Sequence, residues 1–268
     1  MKQWMAVGLA CMMVLPSMSK EKKNNLKFAN NVVVAHRGAF KAKGLPENSI
    51  ASLQEAIRLG CTGSEFDVRM TVDDSLIINH DADYNKLQIE KTSYAVLQQF
   101  TLSNGEKLPT LREYLLAGMN GNKHTRLVLE IKPSDMGEVR AIKMVDAVVA
   151  LVQSLQAEPY IVYISFDYNM MLRLKQLVPD APMQYLAGNK TPAQLQADGI
   201  TGLDYQYKVF EKHPEWISSA KQLGLVLNAW TVNKAEKMDE LLKLNFDFIT
   251  TNEPEMLLQM EKQKRKLK

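Results

Sequence analysis

Short apolar runs alternate with amphipathic stretches from residue 31 to the end of the chain. The first run, 31–36, reads Asn-Val-Val-Val-Ala-His, and the following stretch, 49–59, places Ile50 and Leu53 on one helical face. Apolar runs without polar alternation are typical of strands covered by helices on both sides of a sheet. A period of 3.6 residues predicts an amphipathic helix. The chain is therefore predicted to alternate strands and helices.

The pattern predicts eight main strands, each followed by a helix. The strands are at 31–36, 64–71, 125–132, 160–165, 183–186, 202–205, 225–230 and 246–250. The helices are at 49–59, 110–119, 136–156, 168–177, 191–198, 214–223, 234–244 and from 254 onward. Repeated strand–helix units imply parallel pairing with right-handed crossovers, and eight units over about 250 residues match an α/β fold of the (β/α)8 TIM-barrel type. A doubly wound open sheet is the alternative.

A short insertion interrupts the alternation after the second strand. Residues 75–80 are strand-like, and 81–109 separate them from the next predicted helix. In a barrel this is the position of a βα loop, at the end where active sites lie.

The composition is that of an ordinary soluble globular protein, with 46% hydrophobic and 24% charged residues. It excludes a disordered chain, a collagen-like fibre and a multi-pass membrane protein. The net charge is +3, from 33 Lys and Arg against 30 Asp and Glu, and no basic stripe runs through the chain. Nucleic acid is therefore not expected as a partner, and the sequence leaves the oligomeric state open.

The first residues are predicted to be a signal peptide, 1–19. A basic start, an uncharged run and small residues before a polar stretch are typical of export signals. The apolar run is too short to span a bilayer, so no stable membrane insertion is expected. The mature protein is then periplasmic or secreted, with 20–31 as a flexible lead-in and 32–268 as the barrel domain. Lipid attachment at Cys11 is the less favoured alternative, because Gly8 stands where a lipoprotein signal usually has Leu.

Reactive side chains concentrate at the predicted strand ends, where a barrel builds its active site. They are His36 and Arg37 after the first strand, Glu65 and Asp67 on the second, His80 after the strand-like 75–80, Glu130 and Lys132 on the third, and Trp230 on the seventh.

The carboxylates are spaced so that they converge. Residues two apart on a strand face the same side, so Glu65 and Asp67 point together, as do Glu130 and Lys132. Three clustered carboxylates repel one another unless a cation lies between them. An all-oxygen ligand set favours Mg²⁺ or Ca²⁺ over Zn²⁺. The sequence therefore predicts one divalent-cation site, with a salt-bridge network to Arg37 and Lys132 as the alternative.

Two histidines and two fixed cations complete the pattern. Histidine has an unperturbed pKa of about 6.5, so His36 and His80 can serve as acid and base near neutral pH. Arg37 can bind phosphate oxygens in a bidentate manner, and Lys132 adds a point charge. This combination suits the chemistry of phosphate esters.

These residues stand in motifs that resemble the glycerophosphodiester phosphodiesterase family over residues 32–256. The motifs are His36-Arg37-Gly38, Pro46-Glu47-Asn48-Ser49, Glu65-Phe66-Asp67-Val68, His80-Asp81, Glu130-Ile131-Lys132 and Trp230-Thr231-Val232-Asn233. The resemblance implies a (β/α)8 barrel that uses a divalent metal, Ca²⁺ or Mg²⁺, to hydrolyse a small-molecule glycerophosphodiester to glycerol 3-phosphate and an alcohol.

The resemblance also implies a role for each matched residue. His36 and His80 match the general acid/base pair, without an assignment of which is acid and which is base. Glu65, Asp67 and Glu130 match the metal ligands. Arg37 and Lys132 match the phosphate contacts, and Trp230 matches an aromatic wall beside the glycerol. The residue types before the first helix make Asn48 or Ser49 the expected N-cap. Glu47 is expected to help cap this helix, with a place at the rim of the pocket as the less favoured alternative.

The chain departs from the family pattern at two places. After His80-Asp81 the family often has an Arg-Thr-Thr-Gly-like stretch and a longer insertion, whereas this chain continues Ala-Asp-Tyr-Asn-Lys. Near the last strand the family often has Thr-Asp, whereas this chain has Thr251-Asn252. Two other functions stay open at this point: a phospholipase-like lyase that forms a cyclic phosphate, and a non-catalytic exported protein that binds phosphate esters.

Overall fold

The computed structural model describes residues 26–266. The predicted signal peptide, 1–19, and the alternative lipid attachment at Cys11 lie outside the described residues. Residues 26–31, the end of the predicted lead-in, contact the barrel. The backbone N–H groups of Lys27 and Ala29 donate to the carbonyls of Lys123 and His124 at 2.9 and 2.8 Å.

The strands, in chain order, are β1 (Val33–Ala35), β2 (Gly63–Met70), β3 (Leu76–Ile78), β4 (Asp83–Tyr84), β5 (Leu87–Gln88), β6 (Arg126–Ile131), β7 (Ile161–Ser165), β8 (Met183–Tyr185), β9 (Gly202–Gln206), β10 (Val226–Trp230) and β11 (Phe248–Thr251). The helices are α1 (Ile50–Leu59), α2 (Tyr94–Leu97), α3 (Leu111–Met119), α4 (Glu138–Ser154), α5 (Tyr168–Leu177), α6 (Pro192–Ala197), α7 (Tyr207–Lys212), α8 (Glu215–Gln222), α9 (Ala235–Lys243) and α10 (Pro254–Lys266).

Eight parallel strands close into a barrel. Their order is β1-β11-β10-β9-β8-β7-β6-β2, and β1 also pairs with β2, with Val34 opposite Gly63. This closure confirms the predicted (β/α)8 barrel and excludes the open sheet. In the part of the chain that the structure describes, no helix combines the length and the apolar composition needed to cross a membrane.

The side chains of each strand alternate between two apolar regions. On β2, Phe66 and Val68 belong to the main core between the strands and the surrounding helices, and the Phe66 ring lies 4.5 Å from that of Tyr114 on α3. Inside the barrel, Val34 and Val128 belong to a smaller apolar cluster. The period-2 pattern therefore sends Glu65 and Asp67 to the interior side, away from the helices.

The insertion after β2 folds on its own small core. Strand β3 pairs antiparallel with β2, and residues 81–109 contain the β4–β5 hairpin, a 3-10 turn (Ile89–Lys91) and helix α2. Ile77, Ile89, Leu97 and Leu108 form a separate buried cluster beneath it. This confirms a short insertion at the carboxyl end of the second barrel strand.

Helix α7 (Tyr207–Lys212), directly after β9, was not predicted. The Gln206 side chain accepts a hydrogen bond from the Lys208 N–H at 3.2 Å, and Phe210 is buried. A six-residue helix contains less than two turns, which is too short to give a clear 3.6-residue period.

Candidate active site

A cavity of about 110 Å³ opens at the carboxyl ends of the barrel strands. Its lining residues are His36, Arg37, Glu65, His80, Glu130, Lys132, Ile164, Phe166, Leu186, Asp204, Trp230, Thr231 and Thr250. Seven of the eight sequence-predicted site residues are in this lining. The eighth, Asp67, is buried beside Glu65 and Glu130. The structure thus brings the predicted residues into one pocket.

Three buried carboxylates form the acidic cluster of the pocket: Glu65, Asp67 and Glu130. Asp67 on β2 stands in register with Glu130 on β6. One oxygen from each carboxylate lies within 4.8 Å of the others. Oε1 of Glu65 is buried and has no hydrogen-bond partner. Oδ1 of Asp67 and Oε1 of Glu130 are likewise buried without a hydrogen-bond partner, although the Lys132 ammonium lies near both. Hard oxygen donors at this spacing fit a Mg²⁺ or Ca²⁺ ion.

The electrostatics of the cluster favour a bound cation. Burial, and then Asp67 and Glu130, raise the pKa of Glu65 well above its usual value. Burial and Asp67 raise the pKa of Glu130 to about 8. Burial also acts to raise the pKa of Asp67, but nearby positive charge, chiefly Lys132, lowers it overall. With no metal ion, the two glutamates therefore tend to hold protons, which a divalent cation would replace.

The loop after β1 holds two of these carboxylates in place. The Arg37 backbone N–H donates to Glu65 Oε2 at 2.8 Å. The Asn48 amide Nδ2 donates to Asp67 Oδ2 at 2.8 Å, and the Asp67 backbone N–H donates to Asn48 Oδ1 at 3.2 Å. Arg37 and Asn48 both have positive φ angles, 53° and 58°. Such conformations are costly for non-glycine residues and concentrate at functional sites.

Gly38 allows this loop to approach helix α1 closely. Its φ is +81°, and a Cβ at this position would lie 2.6 Å from the backbone carbonyl carbon of Ser52. Glycine has no Cβ and adopts positive φ without steric cost. The tight turn thereby fixes the position of the preceding Arg37.

Two cations border the acidic cluster. The Lys132 Nζ lies 2.7 Å from Glu130 Oε1 and 3.3 Å from Asp67 Oδ1. The Arg37 Nε lies 3.7 Å from Asp67 Oδ2, and this buried N–H group has no hydrogen-bond partner. Positive charge therefore lies directly beside the carboxylates, with a donor free for an anionic ligand.

Glu47 does not cap helix α1, which corrects the sequence-based expectation. Ser49 is the N-cap, and its hydroxyl accepts a hydrogen bond from the Ser52 N–H. Glu47 accepts instead from Arg37 Nη1 at 2.8 Å. Glu47 is therefore tied to Arg37, a residue of the pocket lining, and not to the start of the helix.

His36 is partly buried and has a defined partner. Its Nδ1 lies 2.7 Å from Asn252 Oδ1, and its Nε2 lies 3.9 Å from Glu65 Oε2. An amide oxygen accepts only, so the neutral ring carries its proton on Nδ1 and leaves Nε2 as a base. Burial, and then the charge of Arg37, lower the pKa of His36 to about 4. His36 is therefore neutral at physiological pH.

His80 has a more open environment at the rim. Its Nδ1 lies 2.7 Å from the carboxylate Oδ1 of Asp81. Arg69 donates from Nε and Nη2 to the His80 backbone carbonyl at 2.9 and 2.8 Å. These contacts fix the backbone beneath the imidazole and place a carboxylate beside its Nδ1.

The opposite half of the pocket is mainly apolar. Trp230 donates from Nε1 to the Asp204 backbone carbonyl at 2.8 Å, and its ring meets Phe166 edge-on at 5.5 Å between centroids. Ile164 and Leu186 extend this wall. The pocket therefore has a charged half suited to a phosphate and an aromatic half suited to a carbon skeleton.

Asn48, Asn252 and Asp204 are among the polar residues of the site that were not predicted. Asn48 looked like a helix cap in the sequence, and Asn252 stood out only as a departure from the family pattern. Asp204 gave no motif signal. The outward-facing Leu203 and Tyr205 on either side of it are the one local indication that Asp204 faces the interior.

The fold and the site together define a (β/α)8-barrel enzyme whose pocket combines an acidic cluster, two histidines and two cations. The model of the glycerophosphoryl diester phosphodiesterase family matches residues 36–256. The chain belongs to this family, which confirms the resemblance seen in its motifs, and it is therefore a hydrolase of phosphoric diesters.

Individual relatives agree with this assignment. A glycerophosphodiester phosphodiesterase of Caldanaerobacter subterraneus subsp. tengcongensis is 26% identical over 248 residues, which cover 85% of this chain and 97% of the relative. The crystal structure of a glycerophosphodiester phosphodiesterase from Parabacteroides distasonis has a TM-score of 0.85 and 38% identity, and the match covers 89% of this chain and 100% of that one. An Oleispira antarctica phosphodiesterase, solved in complex with the product sn-glycerol-3-phosphate, shares the fold at a TM-score of 0.71 and 24% identity, over 85% and 95% of the two chains.

Proposed function

We propose that the protein is a metal-dependent glycerophosphodiester phosphodiesterase that releases glycerol 3-phosphate and an alcohol, with His36 and His80 as its acid/base pair. The observation that carries this proposal is the shared pocket. Both imidazoles line one cavity together with the acidic cluster and the side chains of Arg37 and Lys132. A site that only bound a phosphate ester would need the cations but not two proton-transfer groups.

Glu65, Asp67 and Glu130 are the residues that would hold the divalent cation, Ca²⁺ or Mg²⁺. When bound, such an ion supplies positive charge that neutralises the phosphate as negative charge develops on it. The unpartnered Oε1 of Glu65 supports this role, because buried polar atoms normally have a partner.

The neighbouring cations would bind the phosphate of the substrate. Arg37 presents an unpartnered Nε–H donor, and Lys132 presents an ammonium group beside the acidic cluster. Both charges are fixed by ion pairs, so little reorganisation is needed when the phosphate enters. Trp230 would form a wall beside the glycerol, on the aromatic side of the cavity.

The environments of the histidines suit opposite roles. His36 is neutral, with an unprotonated Nε2, and would accept the proton of the nucleophile, a water molecule or a hydroxyl group of the substrate. His80 stands at the more open rim with its Nδ1 beside the Asp81 carboxylate, and would donate a proton to the oxygen of the leaving alcohol. Each proton transfer of this kind contributes roughly 10²–10⁴-fold to the rate.

The test is a product assay with the purified protein on a panel of glycerophosphodiesters. We expect glycerol 3-phosphate with added Ca²⁺ or Mg²⁺, and loss of turnover when a chelator is added. Phosphorus NMR of the mixture distinguishes the open monoester from a cyclic diester, and a cyclic product that persists would assign the chain to the lyases. Tight binding of the diesters without turnover under any metal would overturn the proposal.

We also propose that the enzyme is exported to the periplasm or secreted, on the basis of the signal-like residues 1–19. Fractionation of cells expressing the full chain, with activity measured in each fraction, tests this. Replacing the uncharged run with charged residues should retain the protein in the cytoplasm.

A further inference from the structure

Asp204 lies on the interior side of β9 at the floor of the active-site cavity. Its neighbours Leu203 and Tyr205 face the main core, and Asp204 stands in register with Asn228 of β10. The side chain is 1% exposed, and the residue lines the cavity together with Trp230. A buried carboxyl group at this place needs an explanation, since such groups are rarely buried without a partner.

The carboxyl group of Asp204 is unpartnered although polar side chains surround it. Its Oδ1 is buried and has no hydrogen-bond partner. The adjacent interior groups bond to one another: Asn228 Nδ2 donates to Gln184 Oε1 at 3.4 Å, and Thr250 Oγ1 donates to Asn228 Oδ1 at 3.2 Å. A buried acceptor without a hydrogen-bond donor costs free energy, and a ligand that supplies the donor removes this cost.

The topology places Asp204 opposite the acidic cluster. Going round the barrel from β9, three strands separate Asp204 from Glu65 and Asp67 on β2 in either direction, and two strands, β8 and β7, separate it from Glu130 on β6. The walls around Asp204 come from Phe166, Leu186 and Trp230. A phosphate bound at the charged half of the cavity would leave this side, with Asp204, for one of its two substituents.

We propose that Asp204 is a specificity-determining residue that accepts a hydrogen bond from a hydroxyl group on the glycerol end of the substrate. The proposal rests on the function proposed above and adds the group by which the polyol is recognised. Asp204 thus selects diesters that carry a hydroxylated substituent on the floor of the cavity. A site that hydrogen-bonds a substrate hydroxyl discriminates strongly against substrates without this hydroxyl, because the buried polar group of the site then has no hydrogen-bond partner.

The surroundings favour a hydroxyl over the other groups of such a substrate. A phosphate oxygen accepts hydrogen bonds and offers no donor to the unpartnered Oδ1 of Asp204. A trimethylammonium group has no N–H to donate, and the Lys132 ammonium already lies 5.8 Å from the Phe166 ring centroid in the same pocket. Burial, and then the charge of Glu130, raise the pKa of Asp204 well above its usual value. A carboxyl oxygen accepts a hydrogen bond from a hydroxyl in either protonation state.

The test compares D204L and D204N with the unmodified enzyme, saturated with metal, on four diesters. Glycerophosphocholine carries a polyol and a cation, glycerophosphoglycerol carries polyols only, p-nitrophenylphosphocholine carries a cation only, and bis(p-nitrophenyl) phosphate carries neither. For D204L we expect kcat/KM to fall by roughly 10²-fold or more on both polyol substrates and to change less than about threefold on both p-nitrophenyl substrates. D204N keeps an acceptor oxygen and should recover most of the loss.

Other outcomes overturn the proposal. An equal loss on all four substrates would assign Asp204 a structural or general catalytic role. A loss confined to the two choline substrates would assign it to the cation. If D204L does not fold, D204A takes its place, because it also removes the acceptor oxygens. An unchanged ratio of kcat/KM for polyol over p-nitrophenyl substrates in D204A contradicts the proposal.

N228A serves as a matched control. Asn228 is buried in the same layer, lies outside the cavity lining and has its own partners, so this variant should alter stability but leave the ratio unchanged. Failure of the proposed function would look different, because the unmodified enzyme would then release no glycerol 3-phosphate from either polyol substrate.

Discussion

Asn48 and Asp67 form a reciprocal pair: the amide nitrogen of Asn48 donates to the Asp67 carboxylate, and the Asp67 backbone N–H donates to the Asn48 amide oxygen. This pair joins the loop before α1 to strand β2 at the position of a candidate metal ligand. The motif Pro46-Glu47-Asn48-Ser49 therefore does more than start a helix. Ser49 caps α1, and Asn48 sets the orientation of a carboxylate.

Removal of the Asn48 side chain should weaken metal binding. N48G deletes the amide and tolerates the positive φ of 58°, so the expected effect is lost orientation of Asp67 rather than backbone strain. Partners that orient metal ligands typically contribute 10–100-fold to affinity. Calorimetric titration with Ca²⁺ measures the change.

The neighbouring S49A variant is the control for N48G. It removes the N-cap hydroxyl and should cost about 1 kcal/mol of stability while leaving the affinity for Ca²⁺ near normal. Equal affinities for N48G and the unmodified protein would show that Asp67 needs no such support.

Either imidazole should be essential for turnover. H36A and H80A are each expected to lower kcat by roughly 10²–10⁴-fold on glycerophosphocholine with metal present. Far-UV circular dichroism should show an unchanged fold. H213A is the matched control, because His213 stacks on Trp216 away from the cavity, at 4.3 Å between ring centroids. Near-normal turnover by H36A or H80A would contradict the proposed mechanism.

The metal-free enzyme should lose stability as the pH rises. Glu130 has a pKa of about 8 in the folded protein against 4.5 as its ordinary value. Between these values the folded state binds more protons than the unfolded state, so the free energy of unfolding falls as pH increases. Tm in the presence of a chelator should therefore decrease most clearly from about pH 6.5 to pH 8. Below pH 6.5 the lowered pKa of His36, about 4, opposes the effect, because the folded state then binds fewer protons at this ring.

Two comparisons test the origin of this slope. E130Q, which stays neutral, should flatten it, and saturating Ca²⁺ should raise Tm most at the high-pH end, because the cation then replaces the protons. A chelated protein whose Tm rises over the same range would refute the assignment of raised pKa values to the cluster.

The turn after β1 should tolerate a side chain at Gly44 but not at Gly38. Both have positive φ, but a Cβ at Gly38 would collide with Ser52, whereas a Cβ at Gly44 meets nothing within 4 Å. G44A should cost about 1–2 kcal/mol of strain, and G38A should cost clearly more.

Urea unfolding gives the stability of both variants, and turnover gives the second readout. G38A should also lower activity, because displacement of this turn moves the Arg37 N–H away from Glu65. Equal stability losses for G38A and G44A would mean that the backbone of this loop can shift to make room.

Much of the fold and of the acidic cluster could be predicted from local pattern. The eight barrel strands begin within a few residues of their predicted starts, and Phe66 and Glu65 face opposite sides, as their spacing requires. Side-chain alternation is a property of the extended backbone itself, so neighbouring positions suffice to reveal it. The short helix α7 escaped detection because it contains too few residues for a period.

What the sequence alone determined was the order of strands and helices, the face on which each strand carries its charges, and the family motifs. Only the tertiary structure decided which side chains come together. Asn252, from the far end of the chain, bonds to His36, and Glu47 pairs with Arg37. Asp204 lies across the barrel from Glu65 and Asp67. The physical reason is that periodicity is local, whereas a contact between distant strands depends on the register and closure of the whole barrel, which no single segment of the chain contains.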